Sequence, residues 1–158
     1  MRLTSEQSAA LFVGANPFIV GSYDEEEGNI FMRVLRQNPG VQVFLLNTGR
    51  IGGRGVDHKM RLQTGGSKMG AKISVLDSTE IIKQIARGGI RWERDPDWGY
   101  EVAVAVEGIA DYAARLNPRH YYTGEEYAKI TRLIKEDRVA WLAKFPELAP
   151  EIPASLGL

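Results

Sequence analysis

Residues 41–72 read VQVFLLNTGRIGGRGVDHKMRLQTGGSKMGAK, and they set the expectation for the fold of the whole chain. The first part, Val41–Leu46, is a β-branched and aromatic run that predicts a strand, and Asn47-Thr48-Gly49 ends it. A strand that leads directly into a glycine-rich segment is typical of ligand sites in α/β folds. We therefore expect an α/β protein with a binding site at the end of this strand.

The segment from residue 49 to 72 combines glycine with positive charge. It holds seven of the 17 glycines, six basic residues and a single acid, Asp57, so six positive charges less one negative charge leave about +5 in a chain of zero net charge. Glycine lets backbone N–H groups approach an anion closely, and Lys or Arg adds charge. The pattern predicts a site for a phosphorylated or carboxylated small molecule. A solvated loop without a specific ligand is the alternative, and the length predicts a flexible loop over 49–71.

Composition limits the class of protein. The 158 residues predict a single domain over 1–158, with 44% hydrophobic and 25% charged residues as in soluble globular proteins. The chain has no cysteine, which excludes disulfides and thiolate sites. No apolar run has the length of a membrane span, so we expect a cytoplasmic protein without a membrane partner. Zero net charge argues against nucleic-acid binding.

Helix and strand signals alternate along the chain, which predicts a mixed α+β arrangement with helices flanking a mixed sheet. Thr4 or Ser5 is expected to cap a first helix, and Thr123 with Glu126 forms the spacing of a capping box. A helix is expected to open over Ser22–Glu27 and to end at Asn38-Pro39-Gly40, and a strand is expected over Lys72–Leu76. The next helix should be capped by Asp77 or Ser78 and should end at Gly88-Gly89, and a polar turn should follow over 91–99. We also expect a strand over Tyr100–Ile109 and an extended tail over 146–158.

Three familiar motifs fit the chain poorly. Gly65 to Gly70 has the first spacing of a phosphate-binding P-loop, but Ala71 precedes Lys72 where the motif needs Gly-Lys-Ser/Thr. The dinucleotide fingerprint G-x-G-x-x-G is absent. His58 and His120, the two histidines of the chain, have no carboxylate at ligand spacing, so no metal site is predicted.

Four segments, in this order, resemble the ATP-dependent phosphoenolpyruvate carboxykinases, from residue 1 to about 145. They are MRLTSEQ (1–7), FLLNTG (44–49) followed by the basic glycine-rich segment, KISVLDSTEIIKQI (72–85) and LNPRHYYTGEEY (116–127). The resemblance implies the C-terminal, nucleotide-binding lobe of an enzyme that converts oxaloacetate and ATP to phosphoenolpyruvate, CO2 and ADP.

The resemblance also implies roles for individual residues. Arg2 matches the catalytic arginine that contacts the transferred phosphate and the substrate carboxylate. Lys72 and Ile73 match a pair that lies against the adenine, and Ser78 matches a hydroxyl that hydrogen-bonds near the base. Asn47, Thr48 and Gly49 match the turn that leads into this pocket. In the family the cofactors are ATP with Mg²⁺ and Mn²⁺.

Departures from the family pattern limit what the chain is expected to do alone. The family's phosphate loop and its metal ligands precede the segment that resembles MRLTSEQ, so they have no counterpart here. We expect an upstream lobe of a longer chain as partner, self-association of the isolated chain through uncovered apolar surface, and no catalysis by this chain alone. A non-catalytic anion- or nucleotide-binding module and an interaction domain that contacts an acidic partner remain as alternatives.

Overall fold

The structure is a computed structural model that describes residues 1–15, 24–52 and 71–157. Helices and strands are mixed along the chain, which confirms the predicted α/β class. The elements are β1 (Arg2–Leu3), α1 (Ser5–Ala15), α2 (Asp24–Gln37), β2 (Val43–Phe44), β3 (Arg50–Ile51), β4 (Ala71–Lys72), α3 (Val75–Arg87), β5 (Ile90–Arg94), β6 (Glu101–Val106), α4 (Tyr112–Leu116), a 3₁₀-helix (Pro118–Tyr121), α5 (Gly124–Leu142) and α6 (Glu151–Ala154).

The chain divides into two compact units. The first comprises Met1–Leu45, Arg94–Glu101 and Thr131–Leu158, and we call it the helical unit. The second comprises Leu46–Glu93 and Val102–Ile130, and we call it the ribbon unit after its two-stranded sheet.

The strands that the structure describes form a four-stranded sheet in the order β2-β1-β6-β5 and a two-stranded sheet, β3-β4. β1 pairs antiparallel with β2 and with β6, and β3 pairs antiparallel with β4. The predicted strand Val41–Leu46 was too long, because β2 spans only Val43–Phe44, followed by a pair of backbone hydrogen bonds between Leu45 and Met1, and Val41, Leu45 and Leu46 are exposed. An apolar β-branched run has high strand propensity whether or not a neighbour is present to pair with it.

Strand β5 corrects a second expectation, since the stretch 91–99 was predicted to be a polar turn throughout. Ile90 is buried and Trp92 half-buried, while Arg91 and Glu93 between them are exposed. This alternation is that of a strand with one covered face. The turn follows at Asp95, whose carboxylate accepts the backbone N–H groups of Asp97 (2.9 Å) and Trp98 (3.0 Å).

Helix α1 begins as predicted at a Thr4 cap. The Gln7 N–H donates to Thr4 Oγ1 (3.2 Å), and the Thr4 N–H donates to Gln7 Oε1 (3.1 Å), which is a reciprocal capping box. Helix α2 ends at Gln37, before Asn38-Pro39-Gly40, as predicted. The predicted opening at Ser22 lies outside the described residues.

Helix α3 starts earlier than predicted. Ser74 is its N-cap and Val75 its first residue, so the expected strand over Lys72–Leu76 stops at Lys72. Asp77 and Ser78, the two expected caps, lie within the helix, where Asp77 completes the capping box of Ser74. The predicted end is confirmed, because Gly88 closes the helix in the left-handed conformation with φ 76°.

Helix α5 confirms the capping box at Thr123, since the Thr123 N–H donates to Glu126 Oε2 (2.9 Å) and the Glu126 N–H donates to Thr123 Oγ1 (3.2 Å). The tail does not stay extended. It forms α6, whose Ile152 is fully buried, and Leu156 after it is 1% exposed. Pro153 sits in the first turn of α6, where a helix needs no N–H donor, so the proline does not prevent the helix.

Each unit has its own apolar interior. In the helical unit the apolar side chains with 3% exposure or less belong to α1, to the residue before β6, to the end of α5 and to the tail: Ala9, Ala10, Tyr100, Leu142, Ile152 and Leu156. In the ribbon unit a cluster of five buried residues packs against Ile81, Ile85 and Trp92: Ile73, Ile90, Val106, Ile109 and Leu116.

Over residues 1–15, 24–52 and 71–157 no helix has both the length and the apolar character that crossing a membrane requires.

Candidate functional site

The β3-β4 ribbon and the start of α3 bring six of the seven predicted site residues into one unit. Asn47 builds the turn before β3, because its Oδ1 accepts the Gly49 N–H (2.9 Å) and its Nδ2 donates to the Arg50 carbonyl (2.9 Å). The Ile73 N–H then donates to the Gly49 carbonyl (3.0 Å). Gly49 therefore lies directly against Ile73.

The ribbon places two cations opposite each other. Arg50 and Lys72 are register partners in the antiparallel pair, and both residues are exposed. Lys72 therefore adds an exposed positive charge next to the glycine-rich segment. Such an arrangement is suited to binding a negatively charged group.

Ile73 follows Lys72 but faces the interior. It is 6% exposed and belongs to the buried cluster of the ribbon unit. In this conformation its side chain serves packing. The apolar surface that remains open in the same stretch is that of Val75 and Leu76, which are 80% and 82% exposed in the first turn of α3.

Ser78 lies in the second turn of α3, half-buried. Its hydroxyl donates to the Ser74 carbonyl (3.1 Å). A hydroxyl oxygen that donates one hydrogen bond keeps lone pairs that can accept others. Thr48 lies in the exposed turn before β3, and its backbone precedes the Gly49 contact with Ile73.

The start of α3 is fixed by an ion pair that the sequence analysis did not identify. Arg115 of α4 donates to both carboxylate oxygens of Asp77, from Nη1 (2.7 Å) and from Nη2 (2.8 Å). Asp77 also accepts the hydroxyl and the backbone N–H of its cap, Ser74. The Asp77 side chain is 8% exposed. Hydrogen bonds from Arg115, and then from Ser74, hold the pKa of Asp77 far below its ordinary value.

Arg115 has a second acidic partner, Asp111, one helical turn earlier, at 3.0 Å from its Nε. Its hydrogen bonds to Asp77 and Asp111 raise the pKa of the guanidinium further above its ordinary value. With two carboxylates around it, Arg115 is engaged within the protein and is not a cation available to a ligand.

Tyr121 joins this ion pair to the ribbon. Its hydroxyl donates to the Arg115 carbonyl (2.7 Å). Its ring lies against Gly52, where a Cβ would overlap the ring, and Gly52 has φ 70°. Both conditions require glycine at this position. A sequence signal existed for Ser74 and Asp77 in their capping-box spacing, but none pointed to Arg115 or Tyr121.

Arg2, the seventh predicted site residue, belongs to the helical unit. It lies in β1, and its Nε donates to Glu101 Oε2 at 2.5 Å. This hydrogen bond lowers the pKa of Glu101. The structure therefore shows Arg2 engaged with a carboxylate of its own unit.

Most of the basic segment lies outside the described residues, including Asp57, His58 and the cations listed here: Arg54, Lys59, Arg61 and Lys68. The predicted flexible loop over 49–71 falls mostly on the same residues, but its two ends are wrong, because Arg50–Ile51 and Ala71–Lys72 are strands.

The donors near the ribbon do not fit a divalent metal ion. Mg²⁺ and Mn²⁺ prefer carboxylate oxygens, but Asp77 and Asp111 are occupied by Arg115. In the described part of the chain no group of three or more His, Cys, Asp or Glu side chains could hold a metal ion. No chemical step is therefore assigned to a metal on these residues.

Comparison with known families gives one match. The model of the phosphoenolpyruvate carboxykinase family, in its ATP-dependent form, matches residues 5–112, about two-thirds of the chain. The match includes residues 47–49, Lys72, Ile73 and Ser78, but neither Arg2 nor the segment 116–127. A search of curated proteins finds no match.

Proposed function

The chain belongs to the phosphoenolpyruvate carboxykinase family, and from this premise we propose that its ribbon unit is the nucleotide-binding portion of such an enzyme. The ligand is ATP, and the reaction of the complete enzyme is the conversion of oxaloacetate and ATP to phosphoenolpyruvate, CO2 and ADP. The observation that carries the proposal is the cross-strand pair Arg50 and Lys72 inside the matched region.

Lys72 accounts for phosphate binding. It is an exposed cation whose backbone is held by pairing with Arg50, so it offers charge to a phosphate chain. The glycine-rich segment begins immediately after β3, so backbone N–H groups of glycine lie next to the ribbon in sequence.

The start of α3 accounts for contact with the base. Ser78 supplies a hydroxyl oxygen, and the side chains of Val75 and Leu76 supply exposed apolar surface. Ile73 contributes from the core side by fixing the position of Lys72. Asn47, Thr48 and Gly49 hold the turn that lines up β3 with β4.

Arg2 is the proposed contact to the transferred phosphate and to the carboxylate of the small substrate. For this contact its guanidinium must exchange Glu101 for the substrate. The carboxylate of Glu101 at 2.5 Å supports this proposal, because it is an anion of the same kind.

Catalysis needs groups that this chain does not supply. Phosphoryl transfer depends on metal ions and phosphate-loop donors to stabilise the transition state. We therefore propose an upstream lobe as the partner that supplies the phosphate loop and the Mg²⁺ and Mn²⁺ ligands, and a cytoplasmic setting as in soluble carboxykinases. The chain alone is expected to bind ATP weakly, in the millimolar range or about −4 kcal/mol, and to be inactive.

The exposed Val75 and Leu76 favour a second candidate, a module that binds another protein through this surface. Such a module would show no preference for ATP over other anions.

A titration followed by backbone chemical shifts separates the candidates. ATP should shift the amides of residues 47–52 and 71–78, and adenosine or inorganic triphosphate alone should bind more weakly. Lys72→Gln should weaken ATP binding, whereas Lys129→Gln, which removes an exposed cation from α5 in the same unit, should not. Equal effects of the two substitutions, or shifts confined to other residues, would refute the nucleotide site.

A further inference from the structure

A relay of side chains links the two strands that carry the cation pair. It consists of Gly52, Tyr121, Arg115, Asp77 and Ser74, and all five lie in the ribbon unit. At one end the ring of Tyr121 packs on Gly52, the residue after β3. At the other end Asp77 holds Ser74, two residues after Lys72.

The centre of the relay is its strongest part. The Arg115 guanidinium meets the Asp77 carboxylate with two parallel hydrogen bonds of 2.7 and 2.8 Å, and the carboxylate is almost completely covered. Two-fold contacts of this kind fix the orientation of both groups as well as their distance. The Tyr121 hydroxyl continues the relay through the Arg115 carbonyl at 2.7 Å.

The relay acts on the two strands beside Lys72. β3 and β4 are each two residues long, and one of their two register pairs is Arg50 with Lys72. So short a pair has little stability of its own. Contacts at Gly52 and Ser74 hold the strands from outside the pair, so Lys72 keeps its position without a ligand.

We propose that Arg115 is a positioning residue for the nucleotide site: through Asp77 and Tyr121 it holds β3 and β4 together so that Lys72 is preorganised for phosphate. This inference rests on the proposed function, because the benefit of preorganisation is an increase in ATP affinity. It assigns Arg115 no contact with the ligand.

Two mild substitutions interrupt the relay. Tyr121→Phe removes the hydrogen bond to the Arg115 carbonyl and keeps the ring on Gly52, and Arg115→Lys keeps the charge and removes the two-fold contact. Tyr112→Phe, at another half-buried tyrosine of the ribbon unit, and Arg87→Lys, at the exposed end of α3, are the matched controls.

The first measurement needs no ligand. The Ile73 amide reports the junction of the two strands, because it donates to the Gly49 carbonyl. Its hydrogen exchange should accelerate in Tyr121→Phe and in Arg115→Lys, while the amides of β6 keep their protection. Unchanged exchange of Ile73 relative to the controls would overturn the relay, whether or not ATP binds.

The second measurement is ATP affinity. Arg115→Lys should weaken ATP binding about tenfold relative to Arg87→Lys, within the range of ordinary coupling energies. A double-mutant cycle tests whether the effect passes through the cation: in the Lys72→Gln background, Tyr121→Phe should have little further effect. A purely structural role would instead give additive losses and would overturn positioning.

The two proposals fail in different ways. If the wild-type chain does not bind ATP, the proposed function fails and positioning for nucleotide fails with it, although altered Ile73 exchange would still establish the relay. If the wild-type chain binds ATP and Arg115→Lys binds it equally well, the site stands and the role of Arg115 is refuted.

Discussion

The helical unit and the ribbon unit differ in their most deeply buried and their most exposed apolar side chains. In the helical unit Ile152 is fully buried and Leu156 is 1% exposed, and Val41, at 57%, is the most exposed large apolar residue among those described. In the ribbon unit the five cluster residues keep between 4% and 9% exposure, and Val75 and Leu76 are almost fully exposed. The ribbon unit also contains a bidentate ion pair between Asp77 and Arg115. The Asp77 carboxylate in this pair is almost completely covered, so part of the ribbon unit is held by polar rather than apolar contacts.

This difference indicates that the two units have different roles, one in stability and the other in binding. Apolar burial supplies most of the stability of a domain, and segments with little of it open most easily. The helical unit therefore has the features of a stable frame. The ribbon unit uses polar contacts to hold a short strand pair and leaves Lys72, Val75 and Leu76 exposed, as a binding site requires.

The largest expected effect tests the frame. Ile152→Ala removes a side chain that is fully buried in α6 and should lower the free energy of unfolding by about 2–5 kcal/mol. Ile82→Ala, at a residue of α3 that is 53% exposed, should change it by no more than about 0.5 kcal/mol. Urea denaturation measures both, and comparable losses would contradict the contrast between the units.

The next effect concerns Gly52. Gly52→Ala introduces a Cβ against the Tyr121 ring at a residue whose φ is 70°, so we expect a loss of about 2 kcal/mol and weaker β3-β4 pairing. Gly40→Ala is the control, because a Cβ there meets open space. If thermal denaturation shows the same small change for both variants, the contact of Tyr121 with Gly52 does not stabilise the ribbon.

Asp77 gives a smaller effect that depends on pH. Asp77→Asn should lower the free energy of unfolding by about 1–2 kcal/mol at neutral pH, because it weakens the cap and removes the charge opposite Arg115. Asp111→Asn, at a side chain that is 62% exposed, should have a smaller effect.

The sign of the pH dependence follows from the lowered pKa of Asp77. The folded protein keeps this carboxylate ionised below its ordinary pKa of 3.8, so its contribution is complete above that value and is lost as the pH falls further toward the folded pKa. Wild-type stability should fall more steeply below pH 4 than that of Asp77→Asn. If urea denaturation shows the same decrease in the free energy of unfolding below pH 4 for both proteins, the ion pair does not contribute to stability.

The smallest expected effect has the opposite sign. Tyr100 of the helical unit is 1% exposed, and its hydroxyl makes no well-formed hydrogen bond among the described residues. Burial raises the pKa of this hydroxyl, although the Arg138 guanidinium lies close enough to lower it in part. Because a buried unpaired hydroxyl is unfavourable, Tyr100→Phe should leave stability unchanged or raise it by up to about 1 kcal/mol. A clear loss in calorimetry would mean that the hydroxyl is hydrogen-bonded in solution.

Local signals in the sequence predicted local structure well. The caps at Thr4 and Thr123 and the stop at Gly88 were correct because each depends on residues within one helical turn. The start of α3 was misplaced because Ser74, Asp77 and Ser78 are all good cap residues, and only the reciprocal contact of Ser74 with Asp77 distinguishes them.

Features that depend on contacts between distant residues could not be predicted from the sequence, for a physical reason. β5 carries more charged than apolar residues, and its half-buried Trp92 becomes evident only once the ribbon cluster is assembled. Asp77 and Arg115 are 38 residues apart, and no spacing rule relates them. Of the residues taken from the family resemblance, Gly49 and Ile73 share a backbone hydrogen bond, and Lys72 lies opposite Arg50 because β3 pairs with β4. Their roles stay predictions.

The three tryptophans give the two units separate optical signals. Trp92 packs against the cluster of the ribbon unit. In the helical unit Trp98 stacks on Tyr100, with the Arg138 guanidinium 5.2 Å from its ring centre, while Trp141 is 43% exposed beside Lys144. Since indole emission shifts to the red when water reaches the ring, Trp92→Phe would leave a spectrum that follows the helical unit alone. Comparing the unfolding curves of the two proteins would show whether both units lose their structure in one cooperative event.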